Sequence, residues 1–142
     1  MSSVLEEGYQ CLIEFTSRPT VKFYEIEVTP SSIGSGALID VTTQRNTTWK
    51  TSASRKLKET GEMQVLCAYD PAVHADILAL VGVEDSITTT YPDGDTVVQN
   101  GVLTDAKFGA LKIGERPTVT LTIGGTNRDP STGAEEGPVH AA

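Results

Sequence analysis

Residues 87–98 read Ile-Thr-Thr-Thr-Tyr-Pro-Asp-Gly-Asp-Thr-Val-Val and carry the clearest hairpin pattern in the chain. Ile87, Thr89 and Tyr91 alternate with the residues between them up to the break, which is typical of a strand that buries one face. Pro92 suits the first corner of a turn, and Gly94 supplies the positive φ that such turns need. The partner strand starts after the turn, and we expect it to run to Ile113. Two glycines inside it are expected to mark bulges or bends: Gly101 and Gly109.

The same alternation predicts five further strands, which bring the expected total to seven. They cover residues 9–15, 22–28, 37–43, 62–69 and 118–123. In the second of these strands, one face is expected to be apolar, formed by Tyr24, Ile26 and Val28. The opposite face is expected to be acidic, with Glu25 and Glu27 beside Phe23.

A single helix is predicted among the strands, beginning at Asp70-Pro71. Asp70 is a good N-cap, Pro71 fits the first helical position, and Gly82 suits the position after the last turn. One helical stripe is apolar and is expected to pack on the sheets: Val73, Ile77, Leu80 and Val81. The predicted fold class is therefore mainly β, a two-sheet antiparallel β-sandwich (partly closed barrel) with one flanking α-helix.

The length and composition predict one domain with its own core. The chain has 142 residues, of which 38% are hydrophobic. We expect residues 1–123 to form the domain and residues 124–142 to form a low-complexity tail that is ordered only on assembly. No apolar run is long enough for a membrane span, and the first residues lack the pattern of a signal peptide, so we expect no membrane association and no secretion signal.

The residue types that carry catalysis and metal binding are sparse. The two histidines, His74 and His140, have no Cys, Asp or Glu at the spacing of a zinc site. Cys11 and Cys67 lie far apart on predicted strands and are expected to be buried and reduced. The sequence also has no nucleophile elbow and no phosphate-binding loop. We therefore expect no catalytic residue, no metal, no cofactor and no enzymatic activity.

Charge is divided unevenly along the chain. Residues 41–58 contain five of the 11 basic residues and none of the 19 acidic ones, so this window carries +5 and the remainder −13, for a net charge of −8. A cationic loop on an acidic body favours contacts between copies of the chain. The expected interface residues are Trp49, Lys50, Arg55, Lys56 and Lys58. The alternative is a solvated loop, with Trp49 covering the core of its own domain.

Four local features, taken in order, resemble those of a known family. The strand end Asp40-Val41-Thr42-Thr43 precedes a long basic loop, and Gly61-Glu62 restarts a strand. Asp70-Pro71 opens the helix, and Gly114-Glu115-Arg116-Pro117-Thr118-Val119-Thr120-Leu121-Thr122-Ile123 closes the series. In this arrangement the chain resembles the tail tube (major tail) proteins of long non-contractile-tailed bacteriophages, over most of residues 8–124.

The resemblance implies that six copies close a ring by joining their inner sheets into a β-barrel, and that stacked rings form the hollow tail tube for genome delivery. The implied partners are the chain itself, other phage tail proteins, and double-stranded DNA that passes through the lumen without specific binding. The acidic balance fits a wall that repels phosphate, and the lumen-lining candidates are Glu25 and Glu27. The implied location is the virion tail, after synthesis in the host bacterial cytoplasm.

Other functions fit parts of the same pattern. Two ring-forming relatives are alternatives: a tail terminator, which forms one ring, and a type VI secretion tube protein. A monomeric β-sandwich ligand-binding module is an alternative from another class. Such a module should expose aromatic side chains on one face, whereas only 6% of residues are aromatic and most are expected to point inward.

Overall fold

The computed structural model describes residues 11–141, and strands dominate this range. The strands are β1 (Leu12–Phe15), β2 (Tyr24–Thr29), β3 (Ile33–Gly34), β4 (Ile39–Asp40), β5 (Ser52–Ala53), β6 (Glu59–Thr60), β7 (Met63–Ala68), β8 (Glu84–Thr90), β9 (Thr96–Phe108), β10 (Thr118–Gly125) and β11 (Val139–Ala141). A 3₁₀ turn at Pro71–Val73 leads into helix α1 (His74–Leu80). No helix in the described range is long and apolar enough to cross a membrane.

One curled antiparallel sheet makes up most of this structure. Its strands run in the order β1-β8-β9-β10-β7-β2, and β11 adds to β9. The sheet curls until its two edge strands, β1 and β2, come into contact. The N–H of Ile13 on β1 donates a hydrogen bond across this seam to Oε2 of Glu25 on β2, at 3.2 Å. The predicted mainly β fold with one flanking helix is confirmed, and one curled sheet forms the partly closed barrel where two sheets were predicted.

The hydrophobic core fills the inside of the curled sheet. β7 and β10 pair in register, and both alternate buried residues with more exposed ones, as their sequences predict. Threonine occupies most of the outward positions of β10, where a β-branched polar side chain suits a half-exposed sheet surface. The buried apolar residues are Ile13, Phe15, Phe23, Met63, Val65, Cys67, Ile77, Leu80, Ile87, Leu103, Val119, Leu121 and Ile123.

The helix forms as predicted at its start and differs at its end. Oδ1 of Asp70 accepts a hydrogen bond from a backbone N–H two residues on, at 3.0 Å, which confirms the N-cap. Ile77 and Leu80 are buried in the core. The prediction that Val81 belongs to the same stripe is wrong, because Val81 has left the helix with extended backbone and is exposed. Gly82 then takes a φ of 81° and turns the chain toward β9.

A bulge in β2 overturns the predicted division of its faces. The pairing of β2 with β7 slips between Glu25 and Glu27, which leaves Ile26 as an extra residue. One added residue reverses the alternation, so the glutamates on either side of it do not share a face. Phe23 is only 6% exposed, whereas Tyr24 is 61% exposed. The predicted common face is therefore wrong for three residues: Tyr24 and Ile26 are exposed, and Val28 packs against the core.

Of the strand expected over residues 9–15, residues 9 and 10 lie outside the described range, and Leu12–Phe15 is paired. Two other predicted strands are each five residues shorter in the structure. The strand expected over residues 37–43 is paired only at Ile39–Asp40. These residues lie outside the barrel, so they pair with one short strand, β5, and not with the main sheet. The strand expected to reach Ile113 ends at Phe108, and the N–H of Gly109 makes one further hydrogen bond, to the carbonyl oxygen of Thr118 at 2.8 Å.

The glycines inside β9 and at its end have different roles. The extra residue of β9 lies at Thr104, where the register with β10 shifts, and not at Gly101. Gly101 is required for close packing, because a Cβ there would lie 2.7 Å from the carbonyl oxygen of Gly124. Gly109 follows the last residue of the strand, where the prediction of a bend is consistent with the end of pairing.

The C-terminal residues return to the barrel. Along one edge of β9, β10 pairs with residues from Gly101 to Phe108. β11 pairs with Thr96 to Val98, which β10 does not reach. Arg128 binds Glu84 through two hydrogen bonds of 2.8 Å each. Nε2 of His140 on β11 lies 3.3 Å from Oδ2 of Asp95. The domain boundary at residue 123, and ordering of the tail on assembly, stay predictions.

Candidate assembly surfaces

The cationic loop folds into a two-stranded projection, residues 33–60, which we call the arm. The arm returns on itself through two short antiparallel ladders, β3 with β6 and β4 with β5. Neither ladder joins the barrel sheet. At the base of the arm, Oγ1 of Thr60 donates to Oδ1 of Asn127 at 2.7 Å. Ladders two residues long carry too little alternation to be recognised in a sequence, which explains why residues 44–60 lack periodicity.

Hydrogen bonds fix the tip of the arm. The N–H of Thr43 donates to Oδ1 of Asn46 at 3.0 Å, and Nδ2 of Asn46 donates to the carbonyl oxygen of Trp49 at 2.9 Å. Trp49 is thereby presented on an ordered turn, and it is 80% exposed. It does not cover the core of its own barrel. A large aromatic side chain on a fixed turn is a suitable anchor for an interface.

The four cations predicted to lie at the interface divide into two groups. Nε of Arg55 donates to the carbonyl oxygen of Ala37 at 2.8 Å, so Arg55 ties the two sides of the arm together. Lys50, Lys56 and Lys58 are exposed. None of the ion pairs formed among residues 11–141 involves an arm residue. The three lysines therefore offer charge to a partner outside this part of the chain.

Apolar side chains on the arm were missed by the sequence analysis. Leu57 lies between Lys56 and Lys58 and is 79% exposed. A leucine between two lysines in a loop rich in serine and threonine has no core to enter, and this pattern could have revealed it. Exposed apolar groups beside charges mark protein contact surfaces. The other exposed large apolar residues of the arm, besides Trp49, are Ile33, Leu38, Ile39 and Val41.

A second projection lies between β9 and β10. Leu111 and Ile113 are both highly exposed there. The sequence analysis assigned them to the end of a long strand, since they alternate with polar residues. In the structure they lie beyond the strand, so they add apolar surface that the sequence analysis did not identify.

The two lumen-lining candidates have different surroundings. Glu25 is half-buried at the seam between β1 and β2, and burial raises the pKa of its carboxyl group. The hydrogen bond from Ile13 acts in the opposite direction on the same pKa and is the smaller effect. Glu27 is exposed. The bulge thus separates one carboxylate that holds the seam from one that is available at the surface.

The reactive residue types are held in structural contacts. Burial raises the pKa of the Cys67 thiol to about 12, with the Glu25 charge as a smaller cause, which leaves it a poor nucleophile. Cys11 is only partly buried. Nδ1 of His74 lies 3.1 Å from the Tyr69 hydroxyl, and its ring stacks on Phe108 at 4.9 Å. No group of His, Cys, Asp and Glu within residues 11–141 has the geometry of a metal site.

Three solved structures share this fold over nearly their whole length. A chain of the virion of a native gene transfer agent particle has a TM-score of 0.70 and 13% identity, covering 97% of this chain and 100% of the other. A chain of the six-fold symmetrised baseplate of the anti-feeding prophage has a TM-score of 0.67 and 9% identity, covering 100% and 98%. A chain of the tail of an empty gene transfer agent particle, with C6 symmetry, has a TM-score of 0.65 and 13% identity, covering 97% and 100%.

Sequence comparison adds nothing to this structural result. No protein-family model matches the chain, and no curated protein matches it significantly. At identities of 9% to 13%, the structural likeness shows a shared fold. The chain therefore has the fold of proteins found in tail and baseplate assemblies.

Proposed function

We propose that the chain is a tail tube subunit, a structural virion protein that forms stacked hexameric rings around a lumen for genome delivery. The observation that carries this proposal is the arm. It projects from the barrel with an exposed tryptophan, exposed apolar side chains, and lysines that form no ion pair with residues 11–141. Transfer of these apolar side chains from water into a contact with a partner lowers the free energy, so a surface of this composition favours association.

The structural comparisons support a symmetric assembly. Two of the three similar chains come from structures described with six-fold or C6 symmetry. The similarity covers almost the whole chain in each case, so it is not limited to one part of the fold. All three belong to virion, tail or baseplate particles, which supports a structural role in a phage-type tail, contact with other tail proteins, and no enzymatic activity.

The charge distribution fits a subunit that contacts copies of itself. Residues 41–58 of the arm carry +5, and the rest of the chain, including Asp40 and Glu59 that flank this window, carries −13. An arm from one copy and an acidic barrel from the next therefore attract each other, whereas like surfaces repel. Each exposed ion pair contributes only about 0–1 kcal/mol, but the contact is repeated at every subunit boundary of a tube.

The acidic excess outside the arm also suits a DNA conduit. DNA is retained by cationic surfaces that release its counterions, and an acidic wall offers no such surface. Double-stranded DNA would then pass through the lumen without specific binding. The assignment of Glu25 and Glu27 to the lumen stays a prediction.

A second candidate is a protein that forms a single ring. The baseplate chain with a TM-score of 0.67 favours it, because a baseplate protein with this fold is part of a six-fold structure. Such a protein would use the same arm for contacts within one ring, without repeated stacking.

Sedimentation and negative-stain electron microscopy of the concentrated protein test the proposal. A tail tube subunit should sediment as long particles, which microscopy should show as hollow tubes. Short rings that never lengthen would favour the second candidate. A protein that stays monomeric over a wide range of concentration and salt would contradict both.

A further inference from the structure

A groove lies beside the seam where the curled sheet nearly closes. It has a volume of about 340 Å³, and β1, β2 and the turn after β8 contribute to it. Its lining includes Cys11, Leu12, Glu25, Ile26, Glu27 and Tyr91. Leu12 and Ile26 are exposed although both are large and apolar. Ile26 faces outward like Tyr24 two residues earlier, and the bulge turns Glu27 outward beside it.

The groove and the arm are complementary in charge and in polarity. The described residues that line the groove include two glutamates and no basic side chain. Residues 41–58 of the arm include five basic side chains and no acidic one. Both surfaces also expose large apolar groups: Leu12 and Ile26 in the groove, and Trp49 and Leu57 on the arm. A contact between them covers the apolar groups and pairs opposite charges.

We infer that this groove receives the arm of a second copy of the chain. Glu27, at the exposed side of the groove, faces the arm lysines, while Leu12 and Ile26 take up apolar side chains of the arm. This inference rests on the proposed self-assembly and names the surface that the arm occupies. It competes with the prediction that Glu27 lines the lumen, since exposed Ile26 beside it suits a protein contact better than a wall for DNA.

Charge disfavours the nearest other occupant, the segment that precedes Cys11. Residues 1–10 contain Glu6 and Glu7 and no basic side chain. These glutamates would bring like charge to the two carboxylates of the groove. A second copy's arm brings opposite charge instead.

Disulfide cross-linking tests the inference directly, because Cys11 already lines the groove. Single cysteines are placed on the arm as Thr48→Cys, Lys50→Cys or Lys56→Cys in the full chain, which is assembled and then oxidised with a dipyridyl disulfide. A bond forms only between cysteines whose Cα atoms come within about 7 Å. We expect at least one arm position to give a ladder of covalent oligomers on a non-reducing gel. The same variant with Cys11→Ser should give none.

The results separate the groove from the assembly itself. Tubes or rings that form normally but give no Cys11-dependent ladder at any arm position would overturn the groove inference and leave the proposed function standing. A parent chain that never self-associates would overturn both. If deletion of residues 1–8 is needed before any ladder appears, the groove belongs to that segment in the intact chain, and the inference is wrong.

Charge exchange gives a second, independent test. Glu27→Lys should raise the protein concentration needed for assembly about tenfold, which corresponds to a loss of about 1.4 kcal/mol per contact. Combining it with Lys56→Glu and Lys58→Glu should restore much of the loss. Glu136→Lys, an equal charge change at an exposed position outside the groove, is the control. Equal behaviour of Glu27→Lys and Glu136→Lys would contradict the inference.

Discussion

Among single residues, two neighbours on α1 should respond differently to an introduced charge, because one is buried and the other is exposed. Ile77 on α1 is buried, whereas Leu78, next to it on the same helix, is exposed. Ile77→Asp places an unpaired carboxylate among apolar side chains, and we expect a loss of several kcal/mol, enough to abolish a cooperative thermal transition. Leu78→Asp is the matched control and should melt close to the parent. Circular dichroism melting measures both, and an equal effect of the two changes would refute the assigned helix orientation.

The two thiols should differ in reactivity. Cys67 is fully buried with a pKa of about 12, so it has almost no thiolate at pH 8. Burial raises the pKa of Cys11 as well, but this side chain is partly accessible. A chromogenic disulfide reagent at pH 8 should therefore titrate one thiol in the folded chain, which Cys11→Ser removes, and two in denaturant. Rapid titration of two thiols without denaturant would show that the core opens easily.

The half-buried carboxyl group of Glu25 at the seam should make the free energy of unfolding depend on pH. Burial raises the pKa of its carboxyl above the ordinary 4.5, so the folded state binds this proton more tightly than the unfolded state. The contribution of this group to stability is therefore greatest below pH 4.5 and falls as pH rises through the folded pKa. Glu25→Gln keeps an oxygen acceptor for Ile13 and should remove that decline. Urea unfolding across this pH range, with Glu14→Gln as control, measures the effect; identical profiles for parent and Glu25→Gln would contradict it.

At the scale of elements, the arm is separable from the barrel. Its ladders do not join the barrel sheet, so charge reversal on its exposed lysines should leave the melting temperature nearly unchanged. We expect Lys56→Glu with Lys58→Glu to block assembly or make it strongly dependent on salt. Arg55 is left in place because it binds Ala37 within the arm. Lys22→Glu with Lys107→Glu, at two exposed lysines outside the arm, is the matched control. Tubes from the arm variant that equal those of the control would show that the arm is a solvated loop.

Elements with strict alternation were predictable, and those with an interrupted pattern were not. β7 and β10 keep a period of two along their length, so their buried residues follow from the sequence, whereas the buried residues of β8 include Asp85, which no apolar pattern marks. In β2 the bulge at Ile26 reverses the phase, and no residue type in the sequence marks it. The exposure of Leu57 depends on the arm leaving the barrel, which is a property of the tertiary structure. The cluster of basic residues within 41–58 could be predicted from the sequence. The two-stranded structure of the arm that carries them could not.

For the whole molecule, the proposed assembly would cover apolar surface that the described part of a single chain leaves exposed. The seam groove, the arm and the projection at Leu111 and Ile113 leave apolar surface exposed on a chain with a net charge of −8. Net charge of one sign keeps free subunits apart, and local complementarity brings chosen surfaces together. Assembly should therefore depend on concentration and ionic strength more than the fold of the subunit does.

Electron cryomicroscopy of particles seen end-on is the decisive test of the proposed tube. We expect a hollow ring of six subunits, with the arm of each subunit lying against a neighbouring copy, and side views in which such rings repeat along a tube. Monomers at every concentration, or closed rings without a central lumen, would contradict it.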